Sequence, residues 1–196
     1  ADLYFHRSAN NMGYYAYKGY GSLLWHLPPA VHKPLFVKGP EVPHEWRPID
    51  ILIVGCNRGS GTSLYSRLNE MRTRGVLPWN VYVGQESGNE DGSVYDKDED
   101  ECVTEVEKNY QGYLYKLKRS KIVVVSAGTR GSDLRRYVEA AAAGALVVGD
   151  VPREREEEVR RLVKVINYND TDEAILSTLG FWLSNTEGRA RAAKAR

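Results

Sequence analysis

The chain has 196 residues, 42% of them hydrophobic and 27% charged, with a formal net charge of +1. That composition suits a soluble α/β domain, alone or with an appended piece. A charge so near zero creates no whole-molecule field to attract nucleic acid or an anionic membrane, and no run approaches the roughly 18 apolar residues of a membrane span.

Residues 1–48 differ from the rest of the chain. DLYFH and LLWHL read as short strands around a Tyr/Gly-rich segment, MGYYAYKGYG. Pro28, Pro29, Pro34, Pro40, Pro43 and Pro48 then forbid regular structure over about twenty residues. This stretch reads as the end of one folded unit and a connection into the next. His6, His26, His32 and His44 all fall in the first quarter of the chain, without metal-ligand spacing. Cys56 and Cys102 are too few for a disulfide framework or a zinc site, so a reducing, cytoplasmic setting and no bound metal are expected.

From Ile49 the pattern is regular. IDILIVGC is a near-continuous apolar run, suited to a strand covered on both faces. Glycine-rich NRGSGTS comes next, then SLYSRLNEMRTRG as a helix with Leu64, Leu68 and Met71 inward, ending at Gly75. VYVG around Val81 is the next strand. Residues 85–101 are acidic and glycine-bearing, a loop or insertion. Residues 102–118 suit a helix with Val103, Val106, Tyr110, Tyr113, Leu114 and Leu117 inward.

KIVVVSAGTRGSDLRRYVEAAAAGALVVGD, residues 121–150, reads as a βαβ unit: a strand at 122–126, a loop with Arg130, a helix ending at Gly144 and a strand at 145–148. Its run of alanines lets the helix lie close on a sheet. EREEEVRRLV then suits a charged helix, VKVINY a strand, and two helices close the chain with Ile175, Leu176, Leu179, Phe181 and Trp182. Strands alternating with helices predict a parallel, Rossmann-like sheet with helices on both faces. The body spans 49–186, with 187–196 as a helical tail whose GRARAAKAR is a charged face.

In such sheets the ligand sits beyond the C-terminal strand ends, where strand order reverses. Loops 55–63 and 126–133 meet that description, and both are rich in Gly, Ser, Thr and Arg. GCNRGSGTS comes after a strand and opens a helix, so its backbone N–H groups could hold a phosphate. It has neither the Lys of a Walker A loop nor the dinucleotide fingerprint, and a plain turn explains it about as well. Arg58 favours the phosphate reading, since guanidinium pairs phosphate bidentately.

In the second loop, Ser132 or Asp133 can cap the helix. Arg130 and Arg135 either neutralise a diphosphate or stand in solvent, and Arg130 is the better ligand candidate. Glu139, two turns into the helix, is by spacing more often surface than site. DKDEDECVTEVE places carboxylates as a calcium loop does, but Glu101 stands where the turn needs Gly. A solvated acidic loop is the better reading. The charged helix faces carry no interleaved aromatics, which excludes a nucleic-acid surface as an expectation.

YLYKLKRSKIVVVSAGTRGSDLRRYVEAAAAGALVVGDVP resembles the C-terminal, donor-binding domain of GT-B glycosyltransferases, and among these the CgeB-like group of spore-maturation proteins and relatives. Glu139, Ala140, Gly144 and Ala145 match that group's helix element, and Asp150 matches the acidic residue after the next strand. LPPAVHKPLF resembles its interdomain segment. IDILIVGC with Tyr65 and Arg67 resembles its opening. The likeness covers roughly residues 23–183 and is weakest over 85–100.

The resemblance implies binding of a nucleotide-diphosphate sugar without an obligatory metal. Glu139 would bind donor hydroxyls. Ser126 and the run Arg130, Gly131 and Ser132 would meet the diphosphate. Gly55, Asn57 and Arg58 would face phosphate or acceptor, and Tyr82 to Gln85 would border the base. Many GT-B enzymes carry a second Glu eight residues before the helix Glu, where this chain has Gly131. About 48 residues precede the donor region, too few for the acceptor domain that such enzymes need. A missing acceptor domain or partner subunit is therefore implied, or else a noncatalytic nucleotide-sugar module acting through protein partners. An unrelated flavodoxin-like domain is the third reading.

Overall fold

The computed structural model describes residues 4–6, 24–26, 42–54, 63–83, 110–126, 134–151 and 156–194. Strands β1 (Tyr4–His6) and β2 (Leu24–His26) form a small parallel ladder. The main sheet contains β3 (Ile49–Val54), β4 (Val81–Val83), β5 (Ser120–Val125), β6 (Leu146–Gly149) and β7 (Val163–Val165). All its neighbours pair in parallel, in the order β4-β3-β5-β6-β7. This is the Rossmann-like α/β sheet that the alternating pattern predicts.

Alternation along each strand splits the core into two layers. Leu52, Val54, Val123, Val125 and Val147 point to one face, where they meet the helices Tyr110–Lys118, Leu134–Ala142 and Glu156–Leu162 through Leu114, Leu117, Tyr137, Ala140 and Val159. Ile51, Ile53, Ile122, Val124, Leu146 and Val148 point to the other, against Leu64, Leu68 and Met71 of the helix Leu64–Thr73 and Ile175 and Leu179 of the helix Asp172–Ser184. A strand covered on both sides has no solvent face to carry polar residues, which explains the apolar run Ile51–Val54 of β3.

The expected helix ends are met. Gly75 has φ 72 and Gly144 φ 69. At the first, Val76 N–H donates to Met71 O at 2.9 Å and Gly75 N–H to Arg72 O at 3.0 Å. The second repeats the pattern, Ala145 to Ala140 and Gly144 to Ala141. These paired bonds close each helix with a left-handed residue that glycine adopts without a Cβ penalty. Of the inward residues expected over 102–118, Leu114 and Leu117 are buried. The side chains of the others lie outside the described residues.

The lower, N-terminal edge of the sheet is closed by charged groups. Arg47 is 2% exposed and donates to Val42 O (3.0 Å), Ser120 O (2.8 Å) and Ala143 O (3.4 Å). Arg189 comes from the last helix, Thr186–Lys194. The sequence pattern puts it on a charged face, yet it is 1% exposed, donating to Trp182 O (2.6 Å) and Leu183 O (2.7 Å). Each guanidinium thus meets carbonyls at the C-terminal end of a helix, where the dipole is negative and offsets part of its charge.

His44 lies beside both arginines, and its Nδ1 accepts from Arg189 Nε at 3.4 Å. Burial first, then the two guanidiniums, lower its pKa from 6.5 to about 4, against an opposing bond to the Gly144 backbone. It is therefore neutral at pH 7. Among the described residues no helix is long and apolar enough to cross a membrane.

Candidate functional site at the upper strand ends

Val54, Val125 and Gly149 stand in register across β3, β5 and β6, so these strands end at one level. Numbered within the main sheet, the strand order is 2-1-3-4-5, and winding reverses between β3 and β5. Loop 55–63 leaves β3 there and loop 126–133 leaves β5. The two loops singled out by composition are thus the two that flank the switch point, where open parallel sheets bind ligands.

The first loop ends at Ser63, whose Oγ accepts from Ser66 N at 3.2 Å and caps the helix Leu64–Thr73. That opens the N-terminus of a ten-residue helix directly after this segment. Tyr65 and Arg67 do structural work. Tyr65 is buried in the core, and Arg67 Nη2 donates to Asp172 Oδ1 at 3.0 Å while Nη1 donates to Tyr168 O. Arg74 also reaches Asp172, at 2.7 Å. Bonds from Arg67 and then Arg74 hold the Asp172 carboxyl below its ordinary 3.8. The groove these residues line, about 350 Å³ with Glu70, Tyr168 and Asn169, is charge-balanced and offers no spare cation to an anion.

On the β5–β6 side the geometry is closely specified. Gly149 passes so near Val125 that a Cβ would meet the Val125 carbonyl oxygen at 1.9 Å. Only glycine permits this approach. It sets Asp150, the next residue, beside Ser126, the residue after β5. Ser126 Oγ donates to Asp150 Oδ2 at 3.4 Å. Tyr137, wholly buried on the helix Leu134–Ala142, directs its hydroxyl to Asp150 O at 2.8 Å and Oδ1 at 3.0 Å. A buried tyrosine hydroxyl needs such a partner, since an unmet one costs about 1–3 kcal/mol.

Glu139 is on the same helix and is 1% exposed. The reading of Glu139 as ordinary helix surface is therefore corrected: the helix is covered by the sheet, and Arg136, Tyr137, Glu139 and Ala140 are all buried. Arg136 stands three residues before Glu139, which puts both on one flank.

Ser126 directly follows β5 at the upper end of the sheet and is buried. Tyr82 is at the level of Leu52, two residues below the β3 end. It is 40% exposed, with Lys116 Nζ 3.9 Å from its ring centroid, and turns toward the helix Tyr110–Lys118. Gly55, Asn57, Arg58, Gln85, Arg130, Gly131 and Ser132 lie outside the described residues. Sequence reasoning passes over Tyr137 and Arg136. A tyrosine three residues before the alanine run, on the helix face that meets the sheet, is the available signal for the first. Among the described residues no group of three His, Cys, Asp or Glu side chains is placed to hold a metal ion. No protein-family model matches the chain, and no curated protein or solved structure matches it.

Proposed function

We propose that the crevice between the upper ends of β3 and β5 binds a nucleotide-diphosphate sugar, and that the chain serves as the donor half of a glycosyltransferase. The observation that carries this reading is the coincidence of the switch point with the two Gly/Ser/Arg loops, 55–63 and 126–133. Buried Glu139 and half-buried Asp150 supply acceptors for hydroxyls near the same edge. Arg58 and Arg130, on the loops, supply the charge that a diphosphate needs.

The chemistry follows from those roles. An acceptor hydroxyl attacks the anomeric carbon, the bond to the diphosphate breaks, and the nucleoside diphosphate leaves with an added negative charge. Fixed donors aimed at that charge lower the barrier electrostatically. The hydroxyl's proton passes to a base, which this reading assigns to an acceptor domain or partner subunit.

Calorimetric titration of the chain with UDP, GDP and ADP and their sugar esters tests the reading. At least one sugar nucleotide is expected to bind saturably, and Glu139→Gln to weaken it about tenfold or more. Binding without transfer under any acceptor would favour a noncatalytic module. The strand order 2-1-3-4-5 is also that of flavodoxin-like sheets, which favours a second reading: a phosphate-ligand domain with no glycosyl chemistry. Affinity for FMN or pyrophosphate with none for any sugar nucleotide would select it.

A further inference from the structure

We propose that Asp150 is a further group, beside Glu139, that takes the ligand's hydroxyls, with Tyr137 as the residue that positions it. This deepens the nucleotide-sugar reading and rests on it. Three independent features converge on this carboxylate. Gly149 brings β6 against β5 at a separation no side chain would allow, the Cβ contact being 1.9 Å. Ser126 Oγ then reaches one carboxylate oxygen at 3.4 Å and Tyr137 Oη the other at 3.0 Å. The same Tyr137 hydroxyl holds the Asp150 carbonyl at 2.8 Å, so main chain and side chain are oriented by one rigid ring.

Asp150 is half-buried at the strand end, whereas Glu139 is 1% exposed beneath its helix. Five residues into that helix, Glu139 sits about 7.5 Å below its start, at about 1.5 Å of rise per residue. Asp150 is the carboxylate at the crevice rim.

The chemistry of the group selects its ligand. An ionised carboxylate only accepts hydrogen bonds, at about four lone-pair sites. An ionised diphosphate is likewise acceptor-only and brings it no donor. A polyol presents donors, and a carboxylate fixed in advance binds them without first losing rotamer freedom. The shared chemistry is that of ribose and of a hexose, and a ladder of probes separates the two.

The experiment titrates wild type, Asp150→Asn and Tyr137→Phe with pyrophosphate, UDP and UDP-glucose, and with the GDP and ADP counterparts. Both variants are expected to lose about ten- to hundredfold in affinity for hydroxyl-bearing ligands while pyrophosphate affinity stays constant. Equal losses for diphosphate and sugar diphosphate assign the ribose to Asp150, and a loss confined to the sugar ester assigns the hexose. Either result supports the proposal. Unchanged affinities in both variants overturn it while leaving the nucleotide-sugar reading standing. Pyrophosphate affinity falling in step with the others also overturns it, because the two residues would then hold the fold rather than the ligand. Failure of wild type to bind any of these probes removes the parent reading and this proposal together.

Discussion

Acidification puts a proton onto a histidine that two buried arginines surround. His44 is 4% exposed, with Arg47 and Arg189 the charged groups that oppose its protonation and Glu45 the one that favours it. Its pKa falls from 6.5 to about 4. The unfolded chain therefore binds this proton first, over the window from pH 6.5 to 4. Stability is complete above about 6.5, declines through that window and has lost the full increment below about 4. At about 1.36 kcal/mol per pH unit, the increment is about 3 kcal/mol.

Urea unfolding followed by tryptophan fluorescence at pH 7.5, 6.5, 5.5 and 4.5 measures this. His44→Gln keeps an acceptor for Arg189 and cannot gain a charge, so it isolates the effect from the other histidines. Wild type is expected to lose about 2–3 kcal/mol more than His44→Gln between pH 7.5 and 4.5. Asp172, whose carboxyl is held below 3.8, contributes stability that is lost only at still lower pH. Parallel stability curves for the two proteins would refute the placement of a neutral imidazole between these guanidiniums.

Two further substitutions test the packing. Arg189→Met retains the stem but removes the donors to Trp182 O and Leu183 O, with an expected loss of about 3 kcal/mol in unfolding free energy. Circular dichroism is expected to show the terminal helix fraying before the sheet melts. Gly149→Ala forces a methyl onto the Val125 carbonyl, where backbone on both sides must move. A drop of about 2 kcal/mol or more in thermal unfolding is expected, and an unchanged melting temperature would contradict the observed β5–β6 approach.

Much of the fold was legible in local pattern. Ile51 to Val54 and Ile122 to Val125 are apolar at every position because both sheet faces are covered, and Gly75 and Gly144 mark helix ends because φ is positive there. These are local consequences of side-chain volume and backbone freedom. The two candidate loops were also legible, as glycine- and arginine-rich breaks directly after apolar strands.

Which strands stand side by side is a different matter, since local residues specify a strand but not its neighbour. The order β4-β3-β5 is what sets side by side, at the switch point, the ends of the two strands from which the similar segments continue. Charge at Arg47, Arg189 and Glu139 suggests surface to any local reading. All three are buried, Arg47 because carbonyls from distant parts of the chain, those of Ser120 and Ala143, converge on it, and Arg189 because the last helix turns back onto the end of the one before it, at Trp182 O and Leu183 O, and onto His44. Asp150 is a lone acidic residue in the sequence. It becomes a held carboxylate only where Gly149 lets β6 close on β5 and Tyr137 reaches down from the helix. Local chemistry specifies what each element can be, and long-range packing specifies which groups meet, because hydrogen bonds between distant segments leave no periodic trace in the chain.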